Sequence, residues 1–351
     1  MRTLQTPALD AVSRVAHARR SRGRRHLIVT TSLLALVVLA WCATLMFGKS
    51  FHTPAEVLAV VLGRDDSGAS FIVGELRLPR ASLALVVGLA FGLAGSTFQT
   101  LLRNPLASPD IVGITTGASA AAAVAIITFG LSGLAVSVTS VSVGTVIALA
   151  VYLLAYRRGH AAGTRLVLIG IGVAAMMRSV IAWQLDRASN VQVLETMRWL
   201  TGSLNGANWT DVRLVLGALA VFATAILWQA RDLETTALGD DAAAALGVRV
   251  ERTRVLIVLA AVAVVCFATA ASGPITFLAF LAGPIAARIL GPNGSVLIPA
   301  ALVGALLVLV GDFVGQYALG TRMPVGVVTG ILGAPYLLYL IIRTNRTGGT
   351  L

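Results

Sequence analysis

Apolar residues fall along this chain in ten blocks, separated by charged or Gly/Pro-rich interruptions: 27–47, 81–102, 111–129, 134–156, 166–186, 212–230, 255–272, 274–290, 296–317 and 326–343. A helix that crosses a bilayer needs about 20 apolar residues, so each block predicts one span. The blocks at 111–129 and 274–290 are short and rich in Gly and Pro. Small residues recur within the blocks, as in GLAFGLAG (88–95) and LIGIGVAA (168–175). They let helices pack closely in lipid, where no hydrophobic force drives them together. The pattern predicts an all-α polytopic membrane protein: about ten transmembrane helices in a compact bundle.

One interruption stands out. LLRNPLASPD (101–110) breaks an apolar stretch with proline and charge. Loose backbone facing lipid would leave its N–H and C=O groups unpaired. This segment must therefore lie in water or in a protein-lined cavity.

Composition agrees with the pattern. Hydrophobic residues make up 57% of the 351 and charged residues 12%, against about 25% charge in soluble domains. No long hydrophilic region remains for a second domain. The organisation reads as a basic N-terminal segment (1–26), one membrane domain (27–343) with a charged loop at 231–254, and a short tail (344–351). Residues 1–26 carry seven arginines and no apolar run, unlike a cleaved signal peptide. The net charge of +12 reads as arginines that set membrane orientation rather than as a nucleic-acid footprint. With the N-terminus inside, 18 of the 27 Lys and Arg fall in inner segments and eight in outer ones, Arg178 lying within a span. That bias predicts cytoplasmic termini and an even number of spans. Cys42 and Cys266 both lie in apolar runs and read as packing residues.

Candidate chemistry concentrates in the loops. Residues 231–254 (RDLETTALGDDAAAALGVRVERTR) mix both signs, and DDAAAALGV reads as a short helix with an acidic start ended by Gly247. The loop is either a solvated connector or a dock for a cytoplasmic partner. On the outer side, Pro79 fixes the backbone between Arg77 and Arg80. These arginines either anchor the helix end at headgroups or pair with an acidic partner. Within the spans, the clear ionisable residues are Arg178 and Asp312, with Gln99 and Gln184 as polar companions. A charge there must face a cavity or a partner, which leaves pairing and a transport role both open.

From RLPR (77–80), Phe98-Gln99 and RNPLASPD (103–110) onward, the chain resembles the permease subunits of ATP-driven importers for ferric siderophores, haem and cobalamin. RWLTGSL (198–204), LGDDAAAALGVRVERTR (238–254), GPITFLAFLAGPIAAR (273–288) and MPVGVVTGILGAPYLLYLI (323–341) follow in the family's order. The resemblance implies a second permease subunit, identical or paralogous, a pair of cytoplasmic ATP-binding subunits, and an external binding protein that delivers substrate. It implies that Asp240, Asp241, Leu246, Gly247, Val248 and Arg249 seat the ATPase. It implies that Arg77 and Arg80, with Arg322 nearby, meet acidic side chains of the binding protein. Gln99, Asn104, Arg178 and Asp312 are then passage-lining or structural polar groups. No cofactor and no metal is implied. Two positions depart from the family: Gly283-Pro284 replaces a common Pro-His pair, and Gln316 stands where the cobalamin permease has arginine. GD-x-x-x-Q (311–316) and AFLAGPIAAR look most like the ferric-catecholate branch.

Rival classes lack their residues. An ion-coupled transporter usually places carboxylates at mid-membrane, and the span acids reduce essentially to Asp312. An intramembrane enzyme needs a nucleophile–base pair or metal ligands, yet all four histidines (His17, His26, His52, His160) lie outside the spans. Gly48-Lys49-Ser50 mimics the end of a phosphate loop, but Ala43 replaces its earlier glycine.

Overall fold

The computed structural model describes residues 6–64, 69–109, 113–157, 160–161 and 163–346. Asp110, within the RNPLASPD segment, and residues 1–5 and 347–351 of the terminal segments lie outside that set.

Seven helices are long and apolar enough to cross a membrane, and three shorter apolar ones accompany them. Together they match the ten predicted blocks. The long ones begin with α1 (Thr6–Met46), which extends the first span back through most of the basic N-terminal segment. A short amphipathic helix, α2 (Pro54–Val61), follows, closed by a Thr53/Glu56 capping box. A π-helical turn, Ser70–Arg77, runs directly into α3 (Leu78–Leu101), with Pro79 in its first turn. Next come the short α4 (Ile114–Ile127), then α5 (Leu134–Ala155) and α6 (Gly163–Arg187). A two-residue antiparallel pair, Tyr156–Arg157 with His160–Ala161, turns the chain between α5 and α6. The sequence pattern missed α7 (Asn190–Leu200), although Ser189 and Gln192 form a legible capping box at its start.

The sixth span is α8 (Trp209–Ala218), a π turn at Leu219–Ala223 and α9 (Thr224–Trp228). The charged loop then folds as α10 (Ala230–Thr236) and α11 (Asp240–Ala245). The remaining spans are α12 (Val250–Ser272), the short α13 (Leu278–Leu290), α14 (Leu297–Tyr317) and α15 (Val325–Arg346). The three shorter apolar helices are α4, α13 and the Val325–Leu340 part of α15.

α3 is apolar on every side, as a helix inside a bundle must be. Phe91 and Phe98 are fully buried, and the helix packs against α14, α13, α12 and α8. Its glycines explain how closely these helices meet. A Cβ added at Gly88 or Gly92 would overlap the α14 backbone at Gly304–Ala305 and Ala300–Ala301, and one at Gly95 would overlap Ala279 of α13. Backbone-to-backbone packing of this kind is what small residues permit in lipid. Around this seam, α4 packs on α5 and α6 to form a second layer.

The RWLTGSL and GPIT motifs meet where two turns cross. Gly202 and Gly273 both have φ of +69°, and side chains there would strike the backbone at Pro274 and Trp199. Backbone N–H groups of Ser203 and Gly326 donate to Ser272 and Gly202 at 2.7 and 3.1 Å, tying α12 and α15 to that crossing. At the opposite end α1 meets the turn before α14, where the His26 ring lies 3.0 Å from the Ser295 carbonyl.

Candidate functional site

Polar side chains gather at the two ends of α3. At its first turn, the Arg80 guanidinium makes a two-pronged bond to Asp312 of α14, Nε to Oδ2 at 2.8 Å and Nη2 to Oδ1 at 2.7 Å. Gln316, one turn on, donates to the same carboxylate at 2.7 Å. The remaining Arg80 nitrogen, Nη1, donates to Asn205 Oδ1 in the 201–208 turn at 2.7 Å. The side chains of Arg80 and Asp312 are only 20% and 8% exposed. A planar bidentate fork suits Arg rather than Lys. Gln316 thus joins this cluster as a neutral donor.

Arg77 also points inward. Its Nη1 donates to the Leu45 and Met46 carbonyls (2.9 and 3.2 Å) and its Nη2 to Ser50 (2.8 Å to the carbonyl). It therefore closes the carboxyl end of α1, where orphan carbonyls and the helix dipole favour a cation. The Gly48-Lys49-Ser50 turn wraps that guanidinium, which lies where a Gly48 side chain would be. Both arginines, expected as headgroup anchors or as a dock for an acidic partner, have hydrogen-bond partners within the chain. Arg322 differs. It is exposed, it joins no ion pair among the described residues, and with Arg198, Glu195 and Asn208 it lines a cleft of about 960 Å³ at this end.

At the other end of α3, Arg103 (φ +49°) reaches into the charged loop. Its Nη2 donates to the Thr236 carbonyl and, at 2.6 Å, to Asp240 Oδ1. Arg254 of α12 donates to Asp240 Oδ2 at 2.9 Å. Burial alone would raise the Asp240 pKa, but bonds and charges from Arg254 and then Arg103 outweigh it and hold the carboxyl below its ordinary 3.8. Leu233 and Ala243 are fully buried beneath the loop, whereas Leu238 and Leu246 are 69% and 67% exposed. Asp241, Gly247 and Arg249 are exposed too, and Val248 is half-buried. The segment is a folded knob, clamped to the core, that offers two leucines to whatever approaches.

Of the remaining candidates, Gln99 is buried and its Nε2 donates to the Phe280 carbonyl at 3.1 Å; its side chain occupies the space a Gly283 Cβ would need. Gly283 is thus the residue that lets α13 close on Gln99. Asn104 turns the chain: its Oδ1 accepts from Leu106 N–H at 2.8 Å, and the side chain is exposed. Arg178 is exposed on α6, well inside that span, on a helix most of whose surface is open. Among the described residues, no three His, Cys, Asp or Glu groups converge as a metal site would require.

A ten-helix membrane bundle with a clamped charged knob at one end and an arginine-lined cleft at the other defines a multi-pass transport permease of the inner membrane. The chain belongs to the FecCD transport family, whose model matches residues 36–343. It is 41% identical over 326 residues to the ferric enterobactin transport system permease protein FepG of Escherichia coli (strain K12), a match that spans 92% of this chain and 98% of that one. It is 39% identical over 342 residues to the achromobactin transport system permease protein CbrC of Dickeya dadantii (strain 3937), spanning 93% and 96%. The fold is that of a metal-chelate type ABC transporter solved in an inward-facing conformation (TM-score 0.80, 23% identity, 90% of this chain and 99% of that one).

Proposed function

We propose that this chain is the permease subunit of an ATP-driven importer that carries a ferric siderophore across the cytoplasmic membrane by alternating access. The observation that carries the reading is the wiring of α3. One end holds the Asp240 knob through Arg103, and the other holds Asp312 and the Asn205 turn through Arg80. A push on the knob from a cytoplasmic ATP-binding subunit is thereby delivered to the opposite face, where a binding protein docks.

In this reading Leu238 and Leu246 fit an apolar pocket of the ATPase, with Asp241 and Arg249 at its rim. Arg322, beside Arg198, receives the binding protein's carboxylates, while Arg77 and Arg80 shape that face from within. The excess of arginines on inner segments supports placing the knob in the cytoplasm. Arg178, exposed at membrane depth, cannot rest in lipid at acceptable cost. It faces a second permease subunit or the passage between the two. ATP hydrolysis resides on the partner subunits, and this chain performs no chemistry. The relatives named for ferric enterobactin and achromobactin transport favour a ferric siderophore over haem or cobalamin.

Leu246→Asp tests the reading. It should abolish co-purification of the ATP-binding subunits and ATP-driven uptake of a ferric catecholate into vesicles, with the melting temperature unchanged. Normal co-purification and uptake in that variant would refute the knob as the coupling surface.

A further inference from the structure

Two clefts flank the first turns of α12. One, of about 870 Å³, lies against the Leu219–Trp228 stretch and is lined by Phe222, Trp228, Arg231, Arg249 and Arg252. The other, of about 500 Å³, lies against α5 and is lined by Leu149, Tyr152, Leu153 and Val255. Arg252, Leu256 and Leu259 border both. The exposed ridge of α12 therefore separates two apolar grooves that converge on a single arginine.

The charge at that point is unbalanced. Arg231, Arg249 and Arg252 are exposed, and none joins an ion pair among the described residues. The one acid lining the larger cleft is Asp232, while Glu251 beside the smaller one lies 3.8 Å from Arg254. The neighbouring arginines Arg103 and Arg254 are balanced by Asp240 and Glu251, so the surplus is local. Trp228, 86% exposed, lines the same cleft as these arginines, and tryptophan is enriched at headgroup depth. Leu259 lies about 10 Å further along α12 than Arg252 at 1.5 Å per residue, and it is 42% exposed.

We infer that this surface is a binding site for one anionic phospholipid, its phosphate held by Arg252 and Arg231 and its two acyl chains laid in the grooves on either side of α12. Basic pockets between transmembrane helices are suited to anionic headgroups, and the guanidinium fork matches a phosphate. A protein approaching from the aqueous side would cover the arginines but would not reach Leu259 or Leu149. Only a ligand that is anionic at one end and apolar for about two helical turns fills the whole site.

The test uses the full-length chain purified with the subunits that accompany it, released from vesicles holding equal parts of phosphatidylglycerol and phosphatidylcholine, and read by native mass spectrometry. The wild-type protein should retain phosphatidylglycerol in preference to phosphatidylcholine. Arg231→Gln with Arg252→Gln should reduce that preference about 30-fold, from roughly one headgroup interaction lost per arginine. Arg231→Lys with Arg252→Lys should keep most of it. Leu259→Trp, which fills the groove floor and leaves the charges in place, should lower retention of both lipids. Equal retention of the two lipids by the wild type, or an unchanged preference in the Gln variant, would overturn the site. So would loss of an accompanying subunit from the Gln variant with the lipid preference intact, since the arginines would then be a protein dock.

Discussion

The two ionic clusters at the ends of α3 use the same groups for different purposes. Asp312 is 8% exposed and takes three hydrogen bonds from Arg80 and Gln316, joining helices whose backbones already touch. Asp240 is 32% exposed and draws Arg103, 42% exposed, from the turn after α3 and Arg254, 11% exposed, from α12 onto a short knob. The buried cluster adds specificity to an interface fixed by packing. The open one is the principal polar tie of a segment with little core of its own. Depth, more than bond count, decides how each responds to damage.

The largest expected effect is therefore at the buried end. Asp312→Ala strands the Arg80 guanidinium among helices, at a cost toward the lower end of about 3–5 kcal/mol for a broken buried pair. Thermal unfolding in detergent should show it, and Arg80→Met with Asp312→Leu should recover most of the loss. A smaller effect follows from the seam beneath: Gly92→Val forces α3 off α14, destabilising by about 1–3 kcal/mol as overpacking does. The same melts measure it, and an unchanged melting temperature would mean the helices separate more easily than their contact implies.

The smallest effect on stability is at the open end. Asp240→Asn should cost about 1 kcal/mol or less, the range of exposed pairs, yet loosen the knob enough to weaken ATPase binding. Because the folded carboxyl lies below its ordinary 3.8, the clamp's contribution is complete above that pH and is lost as pH falls past it. The wild type and Asp240→Asn should therefore differ at neutral pH and converge below pH 3.8, which chemical-denaturation series across pH would check.

Much of the architecture was legible in the sequence because the bilayer imposes one rule on every span. Each of the ten blocks became a helical span, seven of them long and three shorter. The knob was legible from its acidic start and closing glycine. The partners of Arg80 were not, since Asp312 and Asn205 lie far away along the chain and only packing brings them near. α7 escaped notice because the apolar count was tuned to spans, although Ser189 and Gln192 signalled a helix start. The turn at Phe277, left-handed at φ +62° despite its ring, had no sequence sign at all. Arg252 read as one more orienting arginine until the grooves on either side of it were visible.

The glycine seam limits how the molecule can move. Where side chains interdigitate, rotamers can shift and let helices slide. Where backbone rests on backbone, as at Gly88, Gly92 and Gly95, there is nothing to rearrange. α3, α13 and α14 must travel as one keel, and any opening or closing of a passage falls to the looser helices outside it, α6 among them.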